Sequence, residues 1–334
     1  MAKRRILPIF IPHLGCPNEC VFCDQRRISG SPLPVSAADV AGELRAAREA
    51  GLRGMEIAFY GGSFTAVAPE LQEALLDVVQ PALEDGTVSS IRLSTRPDAI
   101  DDEVIERLRR YGVSTVELGA QSMCDEVLEA SGRGHTAEDT VRASKLLKQA
   151  GFTLILQMMT GLPGADRERD ILTARRLIGL APDGVRIYPA VILRDTPLFD
   201  LWRAGAYAEH TVEDAVSLCA ELLPLFQAAG IPVIRLGLNP SEELSGGGAA
   251  GGAYHPAFGQ LVRSELMRRE AEALLDQVPP GASVTLSVAP GRVSDMTGQH
   301  RRNLTELTAR FGLASLRVRP EAGAGDRIMV DWEV

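Results

Sequence analysis

Six short apolar runs, most of them followed by a stretch with helical periodicity, constrain the fold more than any other feature of the chain. Residues 6–11 (Ile-Leu-Pro-Ile-Phe-Ile) have the length of a buried strand, and residues 55–60, 89–95, 115–118, 152–159 and 184–188 repeat the pattern. Between them, residues 69–83, 101–110, 137–150 and 167–180 carry amphipathic spacing. A further helix from Ser36 to about Ala50 has a capping serine at its start and Gly51 as its stop. Strands alternating with helices predict parallel strands joined by crossover connections. Six units are too few for the usual eight-fold barrel. The expected fold class is therefore α/β, a partial (β/α)6 barrel over residues 1–240 with a small C-terminal α/β domain over residues 241–334.

The polar motifs fall just after strands, the face on which barrel-like α/β folds build their sites. Gly61-Gly62-Ser63 follows the second strand, and glycine there lets a polar ligand approach backbone groups closely. Ser94 and Arg96 end the third, where a guanidinium can pair with a carboxylate as a fork or with neighbouring Asp98 as a rim ion pair. Gln121 ends the fourth with Arg133-Gly134-His135 a little beyond, Gln157 ends the fifth, and Arg186-Ile-Tyr-Pro189 ends the sixth.

Cys16, Cys20 and Cys23 form a C-x3-C-x2-C run in the loop after the first strand. Iron-sulfur clusters are usually held by four cysteines, so three on one loop leave an iron open to a further ligand. Gly15 and Pro17 suit the tight turn such a loop needs. Zinc or plain reduced thiols are the alternatives. Zinc prefers a closed four-ligand site, for which His13 is available but no second Cys/His pair follows. Five cysteines, three of them clustered, indicate metal chemistry in a reducing compartment and not a disulfide framework. Cys124 and Cys219 read as packed apolar residues.

The cysteine run, with Phe22 before its last member, resembles the cluster loop of the radical S-adenosylmethionine enzymes. That resemblance implies a 4Fe-4S cluster on Cys16, Cys20 and Cys23. It also implies S-adenosylmethionine bound among Phe22, Gly61, Gly62, Ser63, Ser94, Arg96, Gln121, Arg133 and Gln157, and an electron donor of the flavodoxin or ferredoxin type. Five further segments resemble the radical core of the Elongator catalytic subunit, which modifies wobble uridines of transfer RNA. They are Gly119-x-Gln121-Ser122, Arg133-Gly134-His135-Thr136, Lys145 to Phe152, Met158-Met159-x-Gly-Leu-Pro-Gly164, and Ile187-Tyr188-Pro189 to Thr196. Oxygen-independent coproporphyrinogen oxidase shares the positions of Gln121, Arg133 and Gln157, which by that likeness contact the cofactor's ribose and carboxylate. Departures are the tighter cysteine spacing, Ser94 in place of an acid, and Gln157 in place of a histidine. No acetyltransferase pattern is found after Leu236, and Gly246–Gly252 reads as a flexible loop because it follows no strand.

The last hundred residues predict a helix over 261–275, strands over 283–288, 315–318 and 327–330, and a loop and helix over 296–311. Arg292, Arg301, Arg302, Arg310, Arg317 and Arg319 face only Asp295 and Glu306 in that window, a local +4 inside a chain of net charge -9. The unit weakly resembles a K-homology RNA module, with Arg301 where the second loop glycine belongs. RNA, transfer or ribosomal, is the favoured substrate. A tetrapyrrole-type small molecule, or a non-enzymatic cluster carrier or sensor, are the alternatives. No apolar run reaches the roughly 18 residues that span a membrane, and the N-terminal Met-Ala-Lys-Arg-Arg lacks a secretory pattern. The expected location is the cytoplasm.

Overall fold

A computed structural model describes residues 5–17, 20–29, 35–241 and 244–334. Residues 1–4, on which the leader reading partly rests, lie outside the described residues, as do Asn18 and Glu19 of the cysteine run. The strands are β1 Ile6–Phe10, β2 Met55–Tyr60, β3 Val88–Thr95, β4 Val113–Gln121, β5 Thr153–Thr160, β6 Gly184–Pro189, β7 Val191–Leu193, β8 Val233–Leu236, β9 Ala249–Gly252, β10 Ser283–Val288, β11 Ser315–Pro320 and β12 Met329–Glu333. Seven of them form one sheet in the order β1-β2-β3-β4-β5-β6-β8, every pair parallel. The sheet curls into a half-barrel, the expected partial barrel with β8 added at its edge.

The helices begin where the sequence encodes caps. Ser36 and Asp39 exchange hydrogen bonds at the start of Ala37–Glu49, and Thr136 and Asp139 do the same for Ala137–Gln149. Asp101 and Asp166 accept from Val104 N and Arg169 N, each at 2.8 Å. The single helix expected over 69–83 is two, Pro69–Asp77 and Gln80–Glu84. Pro81, with no N–H to offer, is accommodated only in the first turn of the second.

Strand residues alternate between two environments, as period-two geometry requires. Ile57, Phe59, Ile91, Leu93, Val116, Leu118, Leu154, Leu156, Val185 and Ile187 are fully buried. The alternate positions carry Glu56, Tyr60, Arg92, Ser94, Glu117, Gln157, Arg186 and Tyr188. One face of the half-barrel is thus apolar and the other polar.

The chain divides into two compact units, Met1–Val212 with Pro224–Pro256, and Glu213–Leu223 with Ala257–Val334. The glycine run is not a flexible loop: Leu244–Gly248 coils into a wide helical turn, and β9 pairs antiparallel with β7. A side chain on Gly252 would meet Ala190 O at 2.7 Å, so glycine is what lets these two backbones close. In the second unit β10 lies between parallel β11 and antiparallel β12. Helices Phe258–Leu275 and Arg302–Phe311 contribute Met267, Ala271, Leu304 and Leu307 to a core with Val284, Leu286 and Leu316.

Candidate functional site

The cysteine loop is stitched to the turn after β2. Ile11 N donates to Tyr60 O (2.7 Å), His13 N to Gly61 O (2.9 Å), and Ser63 N to Leu14 O (2.8 Å). An added methyl on Gly62 would sit 2.5 Å from the carbonyl oxygens of both Ile11 and Leu14, and one on Gly15 would sit 2.2 Å from Ser63 O. The glycines therefore hold two backbones in contact. Ser63 Oγ lies 3.1 Å from Thr95 Oγ1 and accepts from Arg96 N (3.2 Å), tying the ends of β2 and β3 together.

Each of two thiols faces a nitrogen donor. Arg133 Nη1 donates to Cys20 Sγ at 3.3 Å, and Gln25 Nε2 to Cys23 Sγ at 3.4 Å. His13 Nε2 accepts from Gln25 N at 2.9 Å, fixing the residue that carries the second donor. Burial, reinforced by the neighbouring Cys20, pushes the Cys23 thiol up to about 12. Burial and Cys20 likewise raise Cys16, while Arg133 and Arg96 pull it back. Among the described residues no three His, Cys, Asp or Glu side chains are already gathered as metal ligands. The donor set nevertheless fits a cluster. Three thiols on one loop repel one another as thiolates, guanidiniums stand beside them, and N–H groups point at two sulfurs, as at iron-bound thiolates.

Arg133, 8% exposed, also donates through Nη2 to Gly119 O (2.7 Å) and so connects β4 to the cysteine loop. The fork of Arg96 is engaged by Asp98, at 2.7 and 2.9 Å, while its Nη2 also donates to Arg133 O at 2.7 Å. The rim ion pair is thus the arrangement present, with Arg96 buried and Asp98 at the solvent edge. Gln157 Nε2 donates to Gln121 Oε1 (3.2 Å), with Gln121 in the left-handed region at φ 63. Ser94 is half-buried on the polar face. Phe22 packs in an apolar cluster with Cys20, Cys124, Met159, Leu162 and Leu198.

Sequence reasoning reached Arg186 and Tyr188 at a strand end but passed over Glu56, Tyr60, Arg92 and Glu117, which complete the polar face. Arg92 joins Glu56 (2.9 Å) and Glu117 (2.7 Å), and Arg186 joins Glu117 (2.8 Å), Tyr60 OH (3.2 Å) and Tyr188 OH (3.2 Å). Burial and Glu117 hold the Tyr60 phenol above its ordinary value. Charged residues at alternate positions inside apolar strands were the available signal. Nearby His135, buried and beside Arg133, is held down to about 4.

Four of the six arginines behind the expected basic region are paired with carboxylates. Arg302 pairs with Glu306 (2.7 Å), Arg310 with Glu272 (2.6 Å), Arg292 with Glu270 (3.9 Å), and Arg319 with Glu321 and Asp331 (each 3.9 Å). Most of these acids lie outside the window that showed the excess; across residues 257–334 ten arginines meet ten carboxylates.

A parallel half-barrel with three thiols in the loop after its first strand and polar side chains at the carboxyl ends of its strands has the architecture on which barrel-like α/β enzymes build their sites. The chain belongs to the Radical SAM superfamily, whose family model matches residues 10–177, and the Radical_SAM C-terminal domain matches residues 182–268. It is 30% identical over 184 residues to the tRNA uridine(34) acetyltransferase of Methanocaldococcus jannaschii, covering 49% of this chain and 34% of that one. It is 29% identical over 191 residues to human Elongator complex protein 3, covering 51% and 35%. The chain thus spans about a third of the length of these relatives. An archaeal Elp3 structure from Methanocaldococcus infernus superposes with TM-score 0.62 at 21% identity, over 80% of this chain and 63% of that one. Coproporphyrinogen III oxidase from Escherichia coli gives 0.53 at 18%, over 68% and 54%. Both likenesses are of fold. No helix among the described residues is long and apolar enough to cross a membrane.

Proposed function

We propose that this radical SAM enzyme acts on RNA, transfer or ribosomal, with Cys16, Cys20 and Cys23 as the ligands of a 4Fe-4S cluster. The observation that carries the site reading is the Arg133 guanidinium donating to Cys20 Sγ from the end of β4, which joins the thiol loop to the strand-end residues. When bound, the cluster and S-adenosylmethionine supply reductive cleavage to a 5'-deoxyadenosyl radical that abstracts hydrogen from the substrate. The chain's own part is to hold and orient. Gly61, Gly62 and Ser63 present backbone groups beside the thiol loop, while Ser94, Arg96, Gln121, Arg133 and Gln157 line the strand ends. Phe22 packs the loop from its apolar side, and the paired charges of the polar face fix the wall of the chamber. Electrons would come from a flavodoxin or ferredoxin type of protein, in a reducing compartment such as the cytoplasm.

The RNA assignment is supported by the names of the relatives, a tRNA uridine(34) acetyltransferase and Elongator complex protein 3. Acetyl transfer is not carried over, because the match spans a third of those chains. Nor is RNA contact assigned to the C-terminal arginines, whose charge is balanced. The test uses small RNA from cells grown in deuterated medium. The reconstituted enzyme, given S-adenosylmethionine and dithionite, is expected to place deuterium in 5'-deoxyadenosine. Unlabelled product with RNA, together with label from deuterated coproporphyrinogen, would move the substrate to a tetrapyrrole.

A further inference from the structure

We propose that Arg133 sets the reduction potential of the cluster held by the cysteine loop, through its hydrogen bond to the sulfur of Cys20, and that Arg96 is the positioning residue that keeps it there. The inference rests on the cluster reading of the loop and deepens it.

The three cysteine sulfurs are not equivalent. Cys20 receives a charged donor from Arg133 Nη1 at 3.3 Å, and Cys23 a neutral one from Gln25 Nε2 at 3.4 Å. Reduction adds one electron, taken from the external donor, and makes the cluster and its thiolates more negative. A hydrogen bond or positive charge at a ligand sulfur stabilises that reduced form more than the oxidised one, which raises the potential. Arg133 supplies both effects from a site where it is 8% exposed, and low local dielectric strengthens them.

Arg133 is held from two sides. Its Nη2 donates to Gly119 O at 2.7 Å, fixing it to β4. Its backbone carbonyl accepts from Arg96 Nη2 at 2.7 Å, and Arg96 is itself clamped by both oxygens of Asp98. Arg96 thus spends its fork on the chain, and its consequence reaches the cluster through the placement of Arg133.

The test is a redox titration of the reconstituted cluster, followed by visible absorbance and electron paramagnetic resonance. It is run without S-adenosylmethionine, so that any contact of Arg133 with the cofactor does not enter. Arg133→Gln is expected to lower the reduction equilibrium constant about tenfold, which is 59 mV for a one-electron couple. Arg133→Lys, which keeps the charge and loses the fork, should fall between it and the wild type. Arg96→Gln and Gln25→Leu should each shift the midpoint the same way by less. An intact cluster with the wild-type midpoint in Arg133→Gln, or a larger shift in Gln25→Leu than in Arg133→Gln, overturns the inference alone. Should Arg133→Gln take up no cluster, Arg96→Gln decides, and an unchanged midpoint there overturns it. A wild type that takes up no iron overturns the cluster reading and this inference with it.

Discussion

Gly62→Ala would test the packing that places the thiol loop. The added methyl lies 2.5 Å from the carbonyl oxygens of Ile11 and Leu14, with Ile11 Cγ1 at 3.1 Å. Two of these three neighbours are backbone, so neither can rotate away, and the loop must retreat by close to an ångström to reach ordinary contact. That movement strains the Ser63 N to Leu14 O bond (2.8 Å) one residue before Gly15 and two before Cys16. Overpacking of this kind costs about 1–3 kcal/mol, which in a unit of this size lowers Tm by roughly 3–10 °C. Iron uptake should fall by a larger proportion than stability, because the displaced segment carries the first thiol. Gly42→Ala is the control: nothing stands within 4 Å of its added methyl, inside the helix Ala37–Glu49, and it should stabilise by about 0.5–1 kcal/mol. Thermal scans paired with iron and sulfide content decide the matter. An unchanged Tm and full iron content in Gly62→Ala would refute the argument.

Three further perturbations test contacts elsewhere in the chain. Glu117→Gln removes the carboxylate shared by Arg92 and Arg186 and should cost about 3 kcal/mol in urea titration, with partial recovery in the Glu117→Gln, Arg92→Gln double variant; a double variant no better than the single would contradict the pairing. Burial holds the Asp170 carboxyl at about 7, above its unfolded value, so the folded state binds the extra proton and stability is lost as pH rises from about 4 through 7. Asp170→Asn should therefore gain on the wild type across that window, by at most about 4 kcal/mol, with the neighbouring backbone donor Gly161 N still satisfied, and parallel pH profiles would refute it. Asn303→Ala leaves the carbonyls of Ser264 and Met296 without their Nδ2 donor and should destabilise the second unit by about 1–3 kcal/mol, read by amide exchange in Arg302–Phe311; unchanged protection there would contradict the clasp.

The sheet was legible because parallel strands buried between layers read as apolar runs, and because Ser36 announces the helix that follows it. β8 escaped because four residues, with none of them buried, leave too little pattern. β9 escaped because it is Ala-Ala-Gly-Gly, a composition that reads as a loop until a partner strand closes on it. At the site, the spacing of Cys16, Cys20 and Cys23, the strand-end position of Gln121 and the place of Arg133 a little beyond it were visible in the chain. The engagement of Arg96 by Asp98 was visible only as one of two options, since both partners of a fork are three-dimensional facts. Glu56, Arg92 and Glu117 meet across strands 25 to 36 residues apart, a contact no local window contains. Part of the arginine excess is offset by acids no local window contains: Glu270, Glu272 and Asp331 lie outside it and fold back onto it.

Anaerobic reconstitution of the wild type and of Cys20→Ala, followed by iron analysis and electron paramagnetic resonance of the reduced protein with and without S-adenosylmethionine, reaches the thiol site itself. Three thiolates leave one iron of a four-iron cluster open. The wild type should hold about four irons per chain, show a reduced-cluster signal that S-adenosylmethionine alters, and release 5'-deoxyadenosine, all of which Cys20→Ala should lose. Zinc in place of iron, a signal indifferent to S-adenosylmethionine, or an unaffected Cys20→Ala variant would contradict the assignment of Cys16, Cys20 and Cys23.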